Sequence, residues 1–471
     1  MNTRFSTFTC CFALFFITVT SQAETTVPSI IGENMVLQRN QPIVIWGWDE
    51  AGQKVDVAVA GHSAQATTDS DGKWIVSLDK LAAGGPHTIT IKGSSEISLK
   101  NVLVGEVWLC SGQSNMEWVV QNSNNPQQEI ANGTHPLIRH IKFPHRPSAK
   151  PEDNIPSGGW QESEPKTVGA FTAVGYFFAR HLQAELDIPI GLIGSNWGGT
   201  RIEPWTSPSG FKSVPALKSI ADNLENFPVV NPKGQVNHQS ALALYNGMIH
   251  NFRHFNFQGA IWYQGESNRG DGMMYYEKKK ALVNGWRDVF SNPDMPFLFV
   301  QLAPYTYGGS ATALPEIWEA QTAALQIKNT GMAVTVDIGN IKDIHPRNKQ
   351  DVGKRLALWA LANTYGQKDL VYSGPLYKSH KIDGDKITIS FNHVGGGLTA
   401  RDGKSLSHFQ VAGADKAFVA ATAVVVGNTV VVSAPNVKAP AAVRYAWHQL
   451  AEPNLSNKNG LPASPFRTDK W

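Results

Sequence analysis

The spacing of apolar residues changes twice along the chain, and each change limits the folds open to it. From Asn101 to about residue 368, short apolar runs alternate with amphipathic helical stripes. Candidate strands cover residues 102–109, 137–141, 189–193, 259–263, 297–302 and 333–338. Between them, Val174, Phe177, Phe178, Leu182 and Leu186 make one helical stripe, Leu242, Tyr245, Ile249 and Phe252 a second, and Leu282, Trp286 and Val289 a third. A last helix is predicted over about residues 350–364. Strands that alternate with helices build a parallel sheet covered by helices, whose reactive groups lie in loops beyond the carboxyl ends of the strands.

Both flanks read differently. Residues 24–100 hold Ile43-Val44-Ile45-Trp46 as a buried run, period-two alternation over residues 54–59 and 87–91, and turn signals at Asp71-Gly72 and Ala83-Gly84-Gly85-Pro86. Residues 369–471 return to strands, with 423–426 and 430–432 predicted as a hairpin about Gly427-Asn428-Thr429. The expected division is therefore a β-sandwich-like region at 24–100, an α/β domain at 101–368 and a β-rich region at 369–471. The pattern leaves open whether the two β regions pack as one module or stand apart.

Residues 1–23 are predicted to be an export signal rather than part of the fold. Arg4 precedes an apolar stretch at residues 10–17, and Ser21-Gln22-Ala23 offers small residues at a cleavage site. That stretch falls well short of the ~20 residues needed to cross a bilayer, so no membrane span is expected. Cleavage after Ala23 leaves Cys110 as the one cysteine, so the exported protein, expected in the periplasm or beyond it, has to rest on its apolar core. The formal charge of +3 carries no nucleic-acid footprint, and Lys278-Lys279-Lys280 is expected to line the solvated face of a helix. Oligomeric state is not legible in the pattern.

The chemistry centres on Cys110-Ser111-Gly112-Gln113-Ser114-Asn115-Met116, which follows an apolar strand and precedes a helix-compatible segment. That context presents Ser114 either as a helix cap or as a nucleophile at the open end of a sheet. A nucleophilic serine needs a base, and position must choose among 14 histidines. His345, in Asp343-Ile344-His345-Pro346, lies between the last predicted strand and the last helix, at the same sheet edge as Ser114. Either Asp343 or Asp337 would orient its imidazole. Loops at Gly194 to Thr200 and Gln264 to Asn268 join glycines to side-chain amides. They offer oxyanion donors at the backbone of Gly198 or Gly199 and at Gln264 or Asn268. Glu266 would pair with Arg201 or Arg269, or serve as a buried acceptor. Trp118, Trp197, Trp205 and Arg201, close in sequence to these loops, are substrate-binding candidates that offer flat aromatic faces and a bidentate cation. A non-catalytic glycan-binding protein is the rival reading from another class, carried by the β-rich ends and 14 tryptophans.

Several motifs together resemble the sialate O-acetylesterases within the SGNH hydrolase superfamily. They are Gly32-Glu33-Asn34-Met35-Val36-Leu37-Gln38, Val104-Gly105-Glu106-Val107-Trp108 running into Gly112-Gln113-Ser114-Asn115-Met116-Glu117-Trp118, Asn196-Trp197-Gly198-Gly199-Thr200, Trp262-Tyr263-Gln264-Gly265-Glu266-Ser267-Asn268, Asp343-Ile344-His345-Pro346 and Gly460-Leu461-Pro462-Ala463-Ser464-Pro465-Phe466-Arg467. The resemblance implies an SGNH-type doubly wound parallel sheet with helices on both faces. It also implies a serine esterase that removes acetyl groups from sugars, with Ser114 as nucleophile, His345 as base, Asp343 preferred to Asp337 as third member, and no metal or cofactor. Esterases acting on acetylated xylan share the same outline. Two departures from the superfamily pattern stand out. A single residue, Ile344, separates Asp343 from His345, where two are usual, and Asn268 does not stand in the superfamily's Gly-x-Asn context, its loop reading Gln264-Gly265-Glu266-Ser267-Asn268, so Gln264 is an alternative oxyanion donor to it, with Gly198 preferred to both.

Overall fold

A computed structural model describes residue 1 and residues 24–471. The export signal read from the sequence lies outside the described residues, residue 1 aside. Six parallel strands form the central sheet: β1 (Glu96–Gly112), β2 (His135–Lys142), β3 (Ile190–Asn196), β4 (Gly259–Tyr263), β5 (Phe297–Val300) and β6 (Thr330–Ala333). Their order is β6-β5-β4-β1-β3-β2, with the short antiparallel strand Gln161–Ser163 at the β2 edge. β1 is thus central. The chain winds to one side of it through β2 and β3 and to the other through β4, β5 and β6.

Helices cover both faces of this sheet, and the pleat shows why. Trp108 of β1 packs edge-on against Phe178 of α1 (Ala173–Leu186), their ring centroids 4.9 Å apart. Ser111 points to the opposite face and is in register with Trp262 of β4, whose indole meets Trp286 of α2 (Met274–Val289) at 5.8 Å. α2 also packs against α3 (Ala313–Ala323), and α1 against α4 (Lys349–Asn363). No helix among the described residues is long and apolar enough to cross a membrane.

β1 is 17 residues long because it serves two layers. Its first half pairs with Gly84–Lys92 and Val36–Gln38 of the N-terminal β region, and its second half enters the central sheet. The 100/101 division drawn from the sequence falls inside this strand. One apolar core runs from Val55, Val57 and Ile89 through to Trp262 and Leu356. The C-terminal β region has its own core around Ile387, Val411, Val432 and Tyr445. The two β regions therefore stand apart.

Two expectations are overturned. Ala333 is the last paired residue of β6, and residues 334–338 leave the sheet although Val334 and Val336 are buried. There the Thr335 hydroxyl donates to Gln301 O and Asp337 is gripped by Arg355 of α4, so burial comes from a clamped loop rather than a strand. Lys279 does not face solvent. The 3.6-residue period places it with Tyr275, Leu282 and Trp286 on the buried stripe of α2, where its ammonium lies 3.7 Å from the Phe299 ring centroid. Lys278 is paired with Glu203 and Asp271.

Candidate active site

The site forms where β1 ends between β3 and β4. Gly112 is in register with Asn196 on one side and Tyr263 on the other, so three loops leave the sheet at one level. Its φ is +133°, and an added Cβ would stand 2.2 Å from Tyr263 O, so only glycine fits. The Gln113 amide then donates to Tyr263 O and the Trp197 amide to Gly112 O, tying the β1 loop to both neighbours. Ser114 heads a four-residue helix, Ser114–Glu117, and is partly exposed.

His345 reaches Ser114 from the far end of the sheet. Its Nε2 lies 2.8 Å from Ser114 Oγ, across 231 residues of chain. The Trp118 indole stacks on the imidazole at 4.7 Å with a 15° interplanar angle. Asp343 Oδ1 accepts the backbone N–H of His345 at 2.9 Å. The carboxylate thus braces the loop rather than bonding the ring. Asp337 is held bidentate by Arg355 at 2.7 Å, so it supports α4 and the loop. Burial lowers the pKa of His345, the Lys349 ammonium lowers it further, and Asp343 opposes both.

The candidate oxyanion donors are engaged with other groups. Gly198 lies against Ser114, since an added Cβ would come within 3.2 Å of Ser114 Cβ, but its amide donates to Glu117 Oε2 at 2.8 Å. Both amide hydrogens of Gln264 are taken, by Thr200 O and Asn268 Oδ1. Those of Asn268 go to Glu203 and Asp271. Each residue has no free donor for Ser114 because it knits the β3 and β4 loops together. Gly199 is exposed, with φ +75°.

The substrate candidates are similarly committed. Arg201 donates to Glu203, Asp271 and Ser267 O, and Lys278 bonds the same two carboxylates, so the cluster is neutral. Burial would raise the pKa of Glu203, but Arg201, Lys278 and Asn268 hold it down at about 2. Trp197 is sandwiched between His145 at 4.4 Å and His238 at 4.7 Å, which cover both its faces. One face of Trp118 is taken by His345, and Trp205 is fully buried. Glu266 takes the buried-acceptor role, receiving Asn115 Nδ2 at 2.7 Å.

Sequence reasoning passed over Asn115, Glu117, His145 and Lys349. Glu117 joins His145 at 2.7 Å to the Gly198 amide; burial would raise its pKa, but these partners and Lys142 hold it below the usual carboxylate range. Asn115 and Glu117 fall inside the Gly112 to Trp118 motif, and Lys349 lies four residues after His345, which were the available signals. Among the described residues, no group of three or more His, Cys, Asp or Glu is arranged to hold a metal ion.

A hydroxyl held by an imidazole at the carboxyl edge of a doubly wound sheet is the equipment of an α/β ester hydrolase. Comparison with known proteins makes the class specific. Residues 104–362 match the family described as carbohydrate esterase, sialic acid-specific acetylesterase. The chain is 33% identical to the human sialate O-acetylesterase over 392 residues, 74% of this chain and 72% of that one. It is 32% identical to the mouse sialate O-acetylesterase over 414 residues, 75% of this chain and 76% of that one. A crystal structure of a carbohydrate acetylesterase from Xanthomonas citri superposes with a TM-score of 0.88 at 39% identity, covering 95% of this chain and all of that one. The chain belongs to the sialic acid-specific acetylesterase family of carbohydrate esterases and is a carbohydrate O-acetylesterase.

Proposed function

We propose that the protein removes acetyl groups from O-acetylated sialic acid through an acetyl-enzyme formed on Ser114. The observation that carries this reading is the 2.8 Å contact between Ser114 Oγ and His345 Nε2. His345 takes the hydroxyl proton as Oγ attacks the acetyl carbonyl and returns it to the departing sugar oxygen. It then deprotonates the water that frees acetate. Asp343 is the third member: its charge favours the imidazolium and its carboxylate holds the His345 backbone. Gly198 is the oxyanion donor, its amide exchanging Glu117 Oε2 for the substrate oxygen. Gln264 and Asn268 support that hole by fixing its loops.

The sialate substrate is drawn from the family and the mammalian relatives. Arg201 is its carboxylate contact once Asp271 yields a place, while Trp118 and Trp197 wall the sugar site by their edges. Ser114→Ala should abolish acetate release, leaving binding intact. Acetate release should be faster from O-acetylated sialic acid than from acetyl-xylan, and Arg201→Ala should narrow that preference. Full activity of Ser114→Ala would reject the mechanism, and a preference for acetyl-xylan would reject the substrate. We also place the protein in the periplasm, on the pattern of residues 4–23. Cell fractionation that finds it in the cytosol with residues 4–23 uncleaved would overturn that placement.

A further inference from the structure

Directly beneath Ser114 lies a chain of buried polar groups that the ester chemistry leaves unused. Lys349 Nζ donates to Asn115 Oδ1 at 2.5 Å, and Asn115 Nδ2 donates to Glu266 Oε1 at 2.7 Å and to Ile344 O at 3.0 Å. Lys349 and Asn115 are at most 1% exposed and Glu266 is 6% exposed. Three loops meet in this chain. Asn115 follows Ser114 after β1, Glu266 belongs to the loop after β4, and Ile344 and Lys349 bracket His345 before and within α4.

The chemistry of the link is directional. A protonated amine gives a hydrogen to the amide oxygen, and the amide nitrogen gives hydrogens to a carboxylate and to the carbonyl beside His345. The Asn115 amide is thereby fully engaged in one orientation, its oxygen toward Lys349 and its nitrogen toward Glu266 and Ile344. Such an arrangement specifies one position for the loop, because slippage would strand a buried donor.

We propose that Lys349, Asn115 and Glu266 are positioning residues for the Ser114–His345 pair, fixing the His345 loop through Ile344 and placing a cationic group behind the imidazole. The proposal rests on the Ser114–His345 reading above. The groups that face Lys349 are Glu266, Asp343 and His345, together with the rings of Trp118 at 6.0 Å and Tyr263 at 5.3 Å. Glu266 faces Asn115 and Lys349, and its charge is felt by Tyr263, Tyr275 and Tyr307. Burial pushes Lys349 down to about 7, partly countered by Glu266 and Asp343. Below that pH the ammonium disfavours the imidazolium, so His345 remains an available base in more acidic solution.

The test is the pH dependence of p-nitrophenyl acetate hydrolysis by the full chain carrying Lys349→Met, or Lys349→Met together with Glu266→Gln. The double variant leaves no uncompensated buried charge, so it decides the matter if the single variant fails to fold. In the folded variant kcat should fall about tenfold or more with KM within about twofold. The acid limb of kcat/KM should move to higher pH by roughly half a unit or more. A folded double variant whose acid limb and kcat match the parent would overturn the proposal. So would one that loses kcat with the limb unmoved, which would reduce the chain to scaffolding. Ser114→Ala, run alongside, separates the two readings, because its retention of activity would sink the nucleophile assignment whatever Lys349 does.

Discussion

The carboxylate nearest His345 in sequence touches its backbone, and this detail changes what a substitution should do. In a triad whose carboxylate bonds the imidazole, changing Asp to Asn costs ~10⁴ in kcat because the ring is left in the wrong tautomer. Here Asp343 Oδ1 accepts a main-chain N–H, a bond that an Asn oxygen can also accept. Asp343→Asn should therefore lose only the charge that stabilises the imidazolium, lowering kcat by roughly ten- to a hundredfold. Steady-state kinetics decide it, and a ~10⁴-fold loss would mean that Asp343 bonds the ring in the reacting complex. The pH profile follows from the same site. Burial and Lys349 lower the pKa of His345 from 6.5, so kcat/KM should rise with pH through an inflection below 6.5. An inflection above 6.5 would reassign the base.

At the scale of elements, α4 connects the site to the core. It begins just after His345, carries Lys349 and Arg355, and lies against α1 with almost no separation at Gly353. An added Cβ there would meet Phe178 N at 2.6 Å and Phe177 Cβ at 2.7 Å, which are backbone and stem atoms with no room to yield. Gly353→Ala should cost about 1–3 kcal/mol of stability by overpacking. Because the helix carrying Lys349 shifts with it, kcat should fall as well. Chemical denaturation and kinetics on one preparation check both, and a neutral result would show that the α1–α4 contact has slack.

The whole molecule stores neutral imidazoles in its interior, and this sets its acid limit. Burial, with Lys142 nearby, pushes His140 down to about 3, and burial, with Arg253, pushes His250 down to about 4. The unfolded chain binds those protons near the ordinary imidazole value of about 6.5. Between these values the unfolded state holds more protons, so folding stability falls as pH drops below about 6.5, through about 4, to about 3. Glu203, held at about 2, adds a further loss below its ordinary value of 4.5. The melting temperature should decline steadily from pH 6.5 to pH 4, and a constant value across that window would refute the linkage.

Hydrophobic period is a property of neighbouring residues, so the sequence alone determined the alternation of strands and helices, the order β–α/β–β along the chain, and the edge of the sheet where Ser114 and His345 emerge. Strand Gly259–Tyr263 and the hairpin of Thr422–Val426 with Thr429–Ser433 match their patterns for that reason. Which partner a polar group takes depends on what arrives from distant parts of the chain. Tertiary structure therefore decided that Asp337 serves Arg355, that Gln264 and Asn268 bond inward, that Gly198 faces Glu117, and that Lys279 packs on Phe299. It also decided that residues 334–338 leave the sheet. Their apolar residues had to be buried, and burial, unlike hydrogen-bond pairing, is open to a clamped loop as readily as to a strand.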